Sequence, residues 1–322
     1  MMRTYVVLDL EWNQSAEGRL HTEEGLPFEI IEIGAVKLDE QRRILSSFSC
    51  LVTPSVYPQL HFKISEVTHM DVEALRREGK PFVQAAEEFL EWCGTDAVFC
   101  TWGSMDLTEL QRNMRYYGME IPFSKPLLYY DVQKLYAIWQ GDAKERVSLD
   151  RAVEDLGLLE ERPFHRAMDD AFYTARVLQT LDFVRCRPYL SVDYFRLPGN
   201  REEEIFLEFP SYSKYVSRVF STKEEAMEDK TVTDMICCRC RRMLRKKLKW
   251  FSLNQKQYFC LAWCPEHGYV RGKIRMKKAE PDGFYVVKTM KQVEESGADE
   301  VFARKEEQRK KRKVRRGSHQ RR

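Results

Sequence analysis

The chain has 322 residues, 43% of them hydrophobic and 12% aromatic, enough for a full catalytic domain with a smaller unit beside it. No run of 18 apolar residues occurs, which argues against a transmembrane helix. The net charge of +3 hides a division: residues 1–183 hold 19 Lys and Arg against 31 Asp and Glu, and residues 184–322 hold 34 against 19.

That division points to two units, the basic one suited to polyanions. The amino terminus turns acidic too soon for a signal peptide, so the cytoplasm is the expected compartment. Five of the nine cysteines fall between Cys237 and Cys264. In a reducing compartment that clustering suggests metal binding before disulfides.

In chain order, "TYVVLDLEW" (4–12) predicts a first strand, and "FEIIEIGAVKLD" with "RILSSFSCLVTP" predicts a strand pair joined at "DEQR". "PFVQAAEEFLEWC" has helical periodicity, "DAVFCTW" is a short apolar strand, and "DLTELQRNMRYYG" is an amphipathic helix ending at Gly118. A strand at "PLLYYD" precedes helices at "VQKLYAIW", "SLDRAVEDLG" and "HRAMDDAFYTARVLQTLDFV". This alternation predicts an α/β architecture. Beyond residue 184, Pro188, Pro198, Gly199 and Pro210 interrupt aromatic patches, which suggests a connector.

Alternation along the first strand puts Asp9 and Glu11 on one face with Tyr5 and Val7. Two such carboxylates repel each other and drift toward the protonated form unless a hard cation accepts them. A structural pair at the strand end is the competing reading. Asp106 lies beside the stripe Leu107, Leu110, Met114 and Tyr117, just after a strand, where the helix dipole alone also favours an acid. In the last helix the stripe is Ala167, Ala171, Thr174, Leu178 and Leu181. At about 100° per residue, Asp170 falls roughly 60° from its centre and Asp169 on nearly the opposite side. His165 precedes this helix in a loop able to turn toward the same place. Glu29 and Glu32 are expected at an edge or in a loop.

Asp9-x-Glu11, Asp106 and His165-x4-Asp170 resemble the DEDDh 3′–5′ exonucleases, which share a ribonuclease H-like fold. "EIIEIGAVKLD" and "CTWGSMDLTEL" are most similar to the branch holding the histone-mRNA exonucleases and the KapD-type proteins. Arg166 stands where the DEDDy variant has Tyr. The resemblance covers about residues 3–183 and implies an α/β fold, a mixed sheet flanked by helices. It implies two Mg²⁺ or Mn²⁺ ions on the order of 3.5–4 Å apart, which hold the scissile phosphate. Asp9, Glu11, Asp106 and Asp170 would be their ligands. His165 would take the proton of the attacking water, a role suited to an imidazole. The product would be a nucleoside 5′-monophosphate released from a 3′ end.

"CCRCRRMLRKKLKWFSLNQKQYFCLAWCPEHG" offers Cys237-x2-Cys240 and Cys264-x2-His267, separated by 23 residues. Paired knuckles at this spacing suit Zn²⁺ and resemble a zinc ribbon, with a hairpin between them and Gly268 turning the chain after the second. Cys238 and Cys260 are spare, and either could replace one of these ligands. A module this small would draw folding free energy from the metal. "RCRRMLRKKLK" carries seven basic residues and no acid, followed by Trp250, Phe251, Tyr258, Phe259 and Trp263. Cations interleaved with aromatics suit single-stranded nucleic acid.

The expected organisation is therefore an exonuclease domain at 1–184, a connector at 185–231, a zinc-ribbon-like module at 232–280 and a basic tail at 281–322. The expected partner is single-stranded nucleic acid, RNA being favoured on the family branch alone. The tail would add salt-sensitive affinity or meet an acidic protein or ribonucleoprotein. Two rival readings stand beside this one: a KapD-type regulatory protein using the fold for interaction, and a proofreading subunit of a polymerase.

Overall fold

A computed structural model describes residues 3–17, 22–141, 145–158, 162–209, 211–254 and 256–319, with side chains as far as 311. The strand β1 (Thr4–Asn13) sets the first architecture, because both of its faces are apolar. Val6, Leu8 and Leu10 enter one core and Tyr5 and Val7 another. Such a strand belongs in the middle of a covered sheet. It pairs antiparallel with β2 (Glu29–Leu38), which pairs with β3 (Ile44–Leu51). On its other side β1 runs parallel to β4 (Ala97–Thr101), followed by β5 (Leu128–Asp131) and the two-residue β6 (Ser191–Val192). The order is β3-β2-β1-β4-β5-β6.

Helices cover both faces. Between β3 and β4 come α1 (Phe62–Thr68), α2 (Val72–Glu78) and α3 (Phe82–Cys93), and α4 (Met105–Tyr116) follows β4. α3 and α4 bury Phe82, Phe89, Leu107, Leu110 and Met114 against the Val6/Leu8/Leu10 face. The opposite face receives α5 (Val132–Gln140), α6 (Leu149–Asp155) and α7 (Ala167–Thr180). A short α8 (Phe183–Cys186) ends this series. The fold is the mixed α/β sheet flanked by helices that the sequence predicts.

The chain divides into two compact units, Met1–Arg196 and Leu197–Arg322. This division differs from the expected one. Residues up to Arg196 belong to the first unit, where Asp193 accepts hydrogen bonds from Thr108 Oγ1 (2.9 Å) and Gln111 Nε2 (2.7 Å). The rest of the expected connector supplies β7 (Ile205–Phe209) and β8 (Tyr212–Val216), then α9 (Lys223–Glu228) and α10 (Lys230–Thr233). β9 (Arg245–Asn254), β10 (Gln257–Cys264) and β11 (Gly268–Lys278) follow. The first part of the expected tail is β12 (Phe284–Gln292), and α11 (Glu295–His319) comes after it. These strands form one antiparallel sheet ordered β7-β8-β12-β11-β10-β9. The ribbon is thus embedded in a larger sheet with its own apolar clusters, so metal is not its sole source of stability.

Among the described residues no helix is long and apolar enough to cross a membrane.

Candidate active site and metal centre

β1 and β4 run side by side from Thr4 and Ala97 to Val7 and Cys100, and there their ladder ends. Beyond it the Leu10 N–H donates to Asp106 Oδ1 at 3.3 Å. Asp106 stands in the first turn of α4, on the helix that covers the Leu10 face, so it reaches the strand from its end. Asp9 and Glu11 emerge on the other face, beneath α7. The β1–β2 register slips between Glu11 and Trp12, a bulge of the kind that re-aims side chains beside reactive sites.

α7 comes unusually close to the sheet. Gly34 lies opposite Asp9 on β2, and a Cβ there would fall 2.1 Å from the Ala167 carbonyl carbon and 2.2 Å from the Met168 nitrogen. The first turn of the helix therefore rests on bare backbone, and this brings Asp170 over β1. Oxygens of Asp9, Glu11 and Asp170 lie within 4.8 Å of one another. All three, with the buried Asp106, line an open pocket of about 600 Å³. Asp169, expected on the opposite side, pairs instead with Arg162 at 3.1 Å.

His165 sits at φ 68°, in the left-handed region, and its N–H donates to Asp170 Oδ1 at 3.2 Å. Its imidazole is exposed and outside the pocket wall, yet near enough to Asp170 and Asp150 to favour their ionised forms.

Crowding shapes the titration of this cluster. Burial, and then the charges of Asp106, Asp170 and Glu11, hold Asp9 well above the ordinary carboxylate range. Burial, then Asp170 and Glu32, pushes Glu11 up to about 8. Asp106 rises to about 7 through burial, although the Leu10 N–H opposes it. Asp170 rises to about 6, also through burial, against the His165 N–H. Four acids gathered at this cost make a candidate cation site, since a hard divalent ion would remove the conflict.

Two residues were misplaced by the sequence. Glu29 and Glu32 are neither edge nor loop: both are buried in β2, between β1 and β3. Glu29 accepts the N–H groups of Ser55, Val56 and Tyr57 at 2.7–2.9 Å, fixing the loop after β3. Glu32 accepts hydrogen bonds from Arg166 Nε (3.0 Å), Arg166 Nη2 (2.8 Å) and the Ala167 N–H (3.2 Å). This clamp locks the entry to α7 one residue past His165. The signal was present: acids inside "FEIIEIGAV" must find partners if the strand is covered on both faces.

In the second unit, Cys237 and Cys240 lie in the turn before β9, Cys264 ends β10, and His267 lies in the turn into β11. Their ligand atoms fall within 4.8 Å of one another. Cys237 Sγ to His267 Nδ1, Cys264 Sγ to His267 Nδ1, and Cys240 Sγ to Cys264 Sγ each measure 3.6 Å. A zinc tetrahedron with the usual bond lengths has edges of about 3.6–3.8 Å, whereas a disulfide would bring sulfurs to about 2.05 Å. Cys260, held open as an alternative, is buried with its Sγ donating to the Leu248 carbonyl (3.1 Å), and Cys238 is outside the cluster. Against the cost of burial, the Glu266 N–H and the His267 side chain bring the Cys264 thiol down to about 6. That favours the thiolate a metal needs.

The family model described as Exonuclease, RNase_T, matches residues 6–178. A search of curated proteins gives no match. Similar solved structures include the nuclease domain of 3′hExo, a DEDDh family member, bound to rAMP (20% identity over 60% of this chain and 96% of that one, TM-score 0.49). A full-length 3′-exonuclease is similar at 19% identity over 59% and 85%, TM-score 0.48. E. coli Exonuclease I in complex with a dA16 oligonucleotide is similar at 12% identity over 85% and 55%, TM-score 0.48. The family match takes in more than half of the sequence, so this chain belongs to the exonuclease family.

Proposed function

We propose that this metal-dependent 3′–5′ exonuclease releases nucleoside 5′-monophosphates from the 3′ ends of single-stranded nucleic acid. The observation that carries the reading is the convergence of Asp9, Glu11 and Asp170 within 4.8 Å, with Asp106 in the same pocket. Hard oxygen donors at this density fit Mg²⁺ or Mn²⁺. Asp9, Glu11 and Asp170 would hold the ions, with Asp106 completing the set directly or through water. Bound there, divalent ions supply charge neutralisation for the phosphate and ready access to hydroxide at neutral pH.

The chain's own residues do the rest. His165, carried on the loop that the Glu32–Arg166 clamp fixes, would take a proton from the attacking water by turning its exposed imidazole in toward the acids. Asp170 accepts the His165 N–H and so ties that loop to the acids. Trp102 lines the pocket, and its Nε1–H is buried without a partner among the described residues, a donor suited to an incoming nucleotide. We also assign Cys237, Cys240, Cys264 and His267 to a structural Zn²⁺, supported by the three 3.6 Å separations.

The test uses 5′-labelled single-stranded RNA and DNA with Mg²⁺, Mn²⁺ or EDTA, beside Asp9→Asn. Ladders shortening one nucleotide at a time from the 3′ end, lost in EDTA and in the variant, are expected. Internal cleavage, or activity that survives EDTA, would overturn the reading. Elemental analysis should find one zinc per chain, and none in Cys264→Ser.

A further inference from the structure

The two faces of the second sheet differ. One carries Ile274, Met276 and Val286 under α9 and α10, and Val270 with Met290 beside the cysteine cluster. The other carries Phe251, Phe259 and Leu261, partly covered by Ala298 and Val301 of α11. Residues alternate along β11, so Tyr269, Arg271, Lys273 and Arg275 all belong to this second face, neighbouring side chains being about 7 Å apart. Tyr269 packs in the α11 cluster, and Lys273 lies 5.5 Å from the Phe259 ring, which fixes the assignment. Arg304 of α11 lies over the same ring at 5.1 Å.

These cations crowd one another. Partial burial, then Arg275, Arg271 and Arg304, lowers Lys273; partial burial, then Arg304, lowers Arg271. Glu300 is near, but it pairs with Arg304 at 3.8 Å. No ion pair among the described residues neutralises Arg271, Lys273 or Arg275. At the end of this row stands Trp263, opposite Tyr269 on β10, with ring centroids 4.7 Å apart and 38% of its surface exposed. The basic run that dominates the sequence is arranged otherwise. Arg241 and Arg242 are paired with Glu208 and Glu266, and Lys247 and Lys249 lie on the edge strand β9, where lysine deters pairing with other chains.

We propose that this face of the second sheet docks single-stranded nucleic acid, with phosphates along Arg271, Lys273, Arg275 and Arg304 and a base stacked on Trp263. The proposal rests on the reading that the protein acts on such strands. A row of cations meets a ligand whose charge repeats along a line, and the like-charge repulsion is relieved when it binds. An exposed indole at the end of the row adds sequence-tolerant stacking, which an acidic peptide has no base to use.

Fluorescence anisotropy on the full chain tests this, in an Asp9→Asn background that cannot hydrolyse the probe, with fluorescein-labelled 20-nucleotide RNA and DNA. The triple variant Arg271→Gln, Lys273→Gln, Arg275→Gln should flatten the salt slope of log K by about 2 and weaken binding on the order of 50-fold at 0.15 M salt. Arg271→Lys with Arg275→Lys keeps the slope, which separates lost charge from lost folding. Trp263→Ala should weaken binding about tenfold without altering the slope. With Asp9 restored, the triple variant should cleave a dinucleotide normally and show a raised KM for the 20-mer. An unchanged slope in the triple variant, or displacement of the strand by polyglutamate at equal charge concentration, would overturn the proposal. Absence of dinucleotide cleavage in every protein would strike the catalytic reading and leave the binding comparison intact.

Discussion

Replacing Asp9 by Asn separates two effects that the native side chain combines. In the proposed mechanism the carboxylate holds cations, yet without them it is an acid crowded by three others. Its folded-state pKa, like those of Glu11, Asp106 and Asp170, is raised above the unfolded value. Folded protein without metal therefore binds more protons than unfolded protein between about pH 4 and 8, and stability falls as pH rises through that window. Thermal melts in EDTA should show the wild type losing Tm from pH 5 to 8 relative to Asp9→Asn. The variant should melt higher at pH 8 while being inactive, and Mn²⁺ should close the gap. A variant that melts lower at pH 8 would refute the idea of stored repulsion. Lys288 carries the opposite sign. It is 2% exposed and donates to the Thr231 and Asp234 carbonyls at 2.8 Å, and burial brings its pKa down to about 8. Between about 8 and its ordinary value the unfolded chain holds the proton more firmly, so this residue adds stability as pH rises through that window. In Lys288→Met that increment should disappear from denaturant titrations at pH 8 and pH 10.

The positioning of α7 is an element-scale matter, and it rests on one missing side chain and one ion pair. In Gly34→Ala the new methyl meets backbone, which cannot rotate away. The helix must shift, and displacement of Asp170 by even 1 Å is expected to cost about 100-fold in kcat. Steady-state kinetics would show this with melting little changed if the helix merely slides. Arg166→Met leaves Glu32 buried with a single remaining donor, at a cost on the order of 3 kcal/mol measured by urea unfolding. Neither contact partner was legible beforehand, although an acid inside an apolar strand calls for one. Periodicity ranked Asp170 above Asp169 correctly, because the stripe Ala167, Ala171, Thr174 and Leu178 is buried. It had no means of showing that Ala167 touches Gly34, since that contact joins residues far apart in the chain. Glu32 was misjudged for the same reason: an acid inside an apolar strand looks peripheral until Arg166 arrives from the other end of the domain.

Across the whole molecule, the charge division coincides with the boundary near Arg196, and each unit holds one set of candidate metal ligands. Zinc removal should therefore lower the unfolding transition of residues 197–322 and spare dinucleotide cleavage, as read by calorimetry and kinetics on one chelated sample. Knuckle spacing made Cys237, Cys240, Cys264 and His267 recognisable because adjacent ligands are near in sequence. The surrounding sheet was hidden. Its β7 and β8 are five residues each, β12 follows Pro281 and Gly283, and the β8–β12 pairing that joins the two hairpins is long-range, so local pattern gave a connector and a tail. The cations of β11 were equally hidden, being spaced by apolar residues rather than bunched.

The early end of the β1–β4 ladder has a broader meaning. A sheet that kept zipping past Val7 and Cys100 would seal the pocket lined by Asp9, Glu11 and Asp106, where we place the substrate. On the proposed reading, activity depends on two strands parting company at a set position, and a substitution that let them stay together should abolish it by adding order instead of removing it.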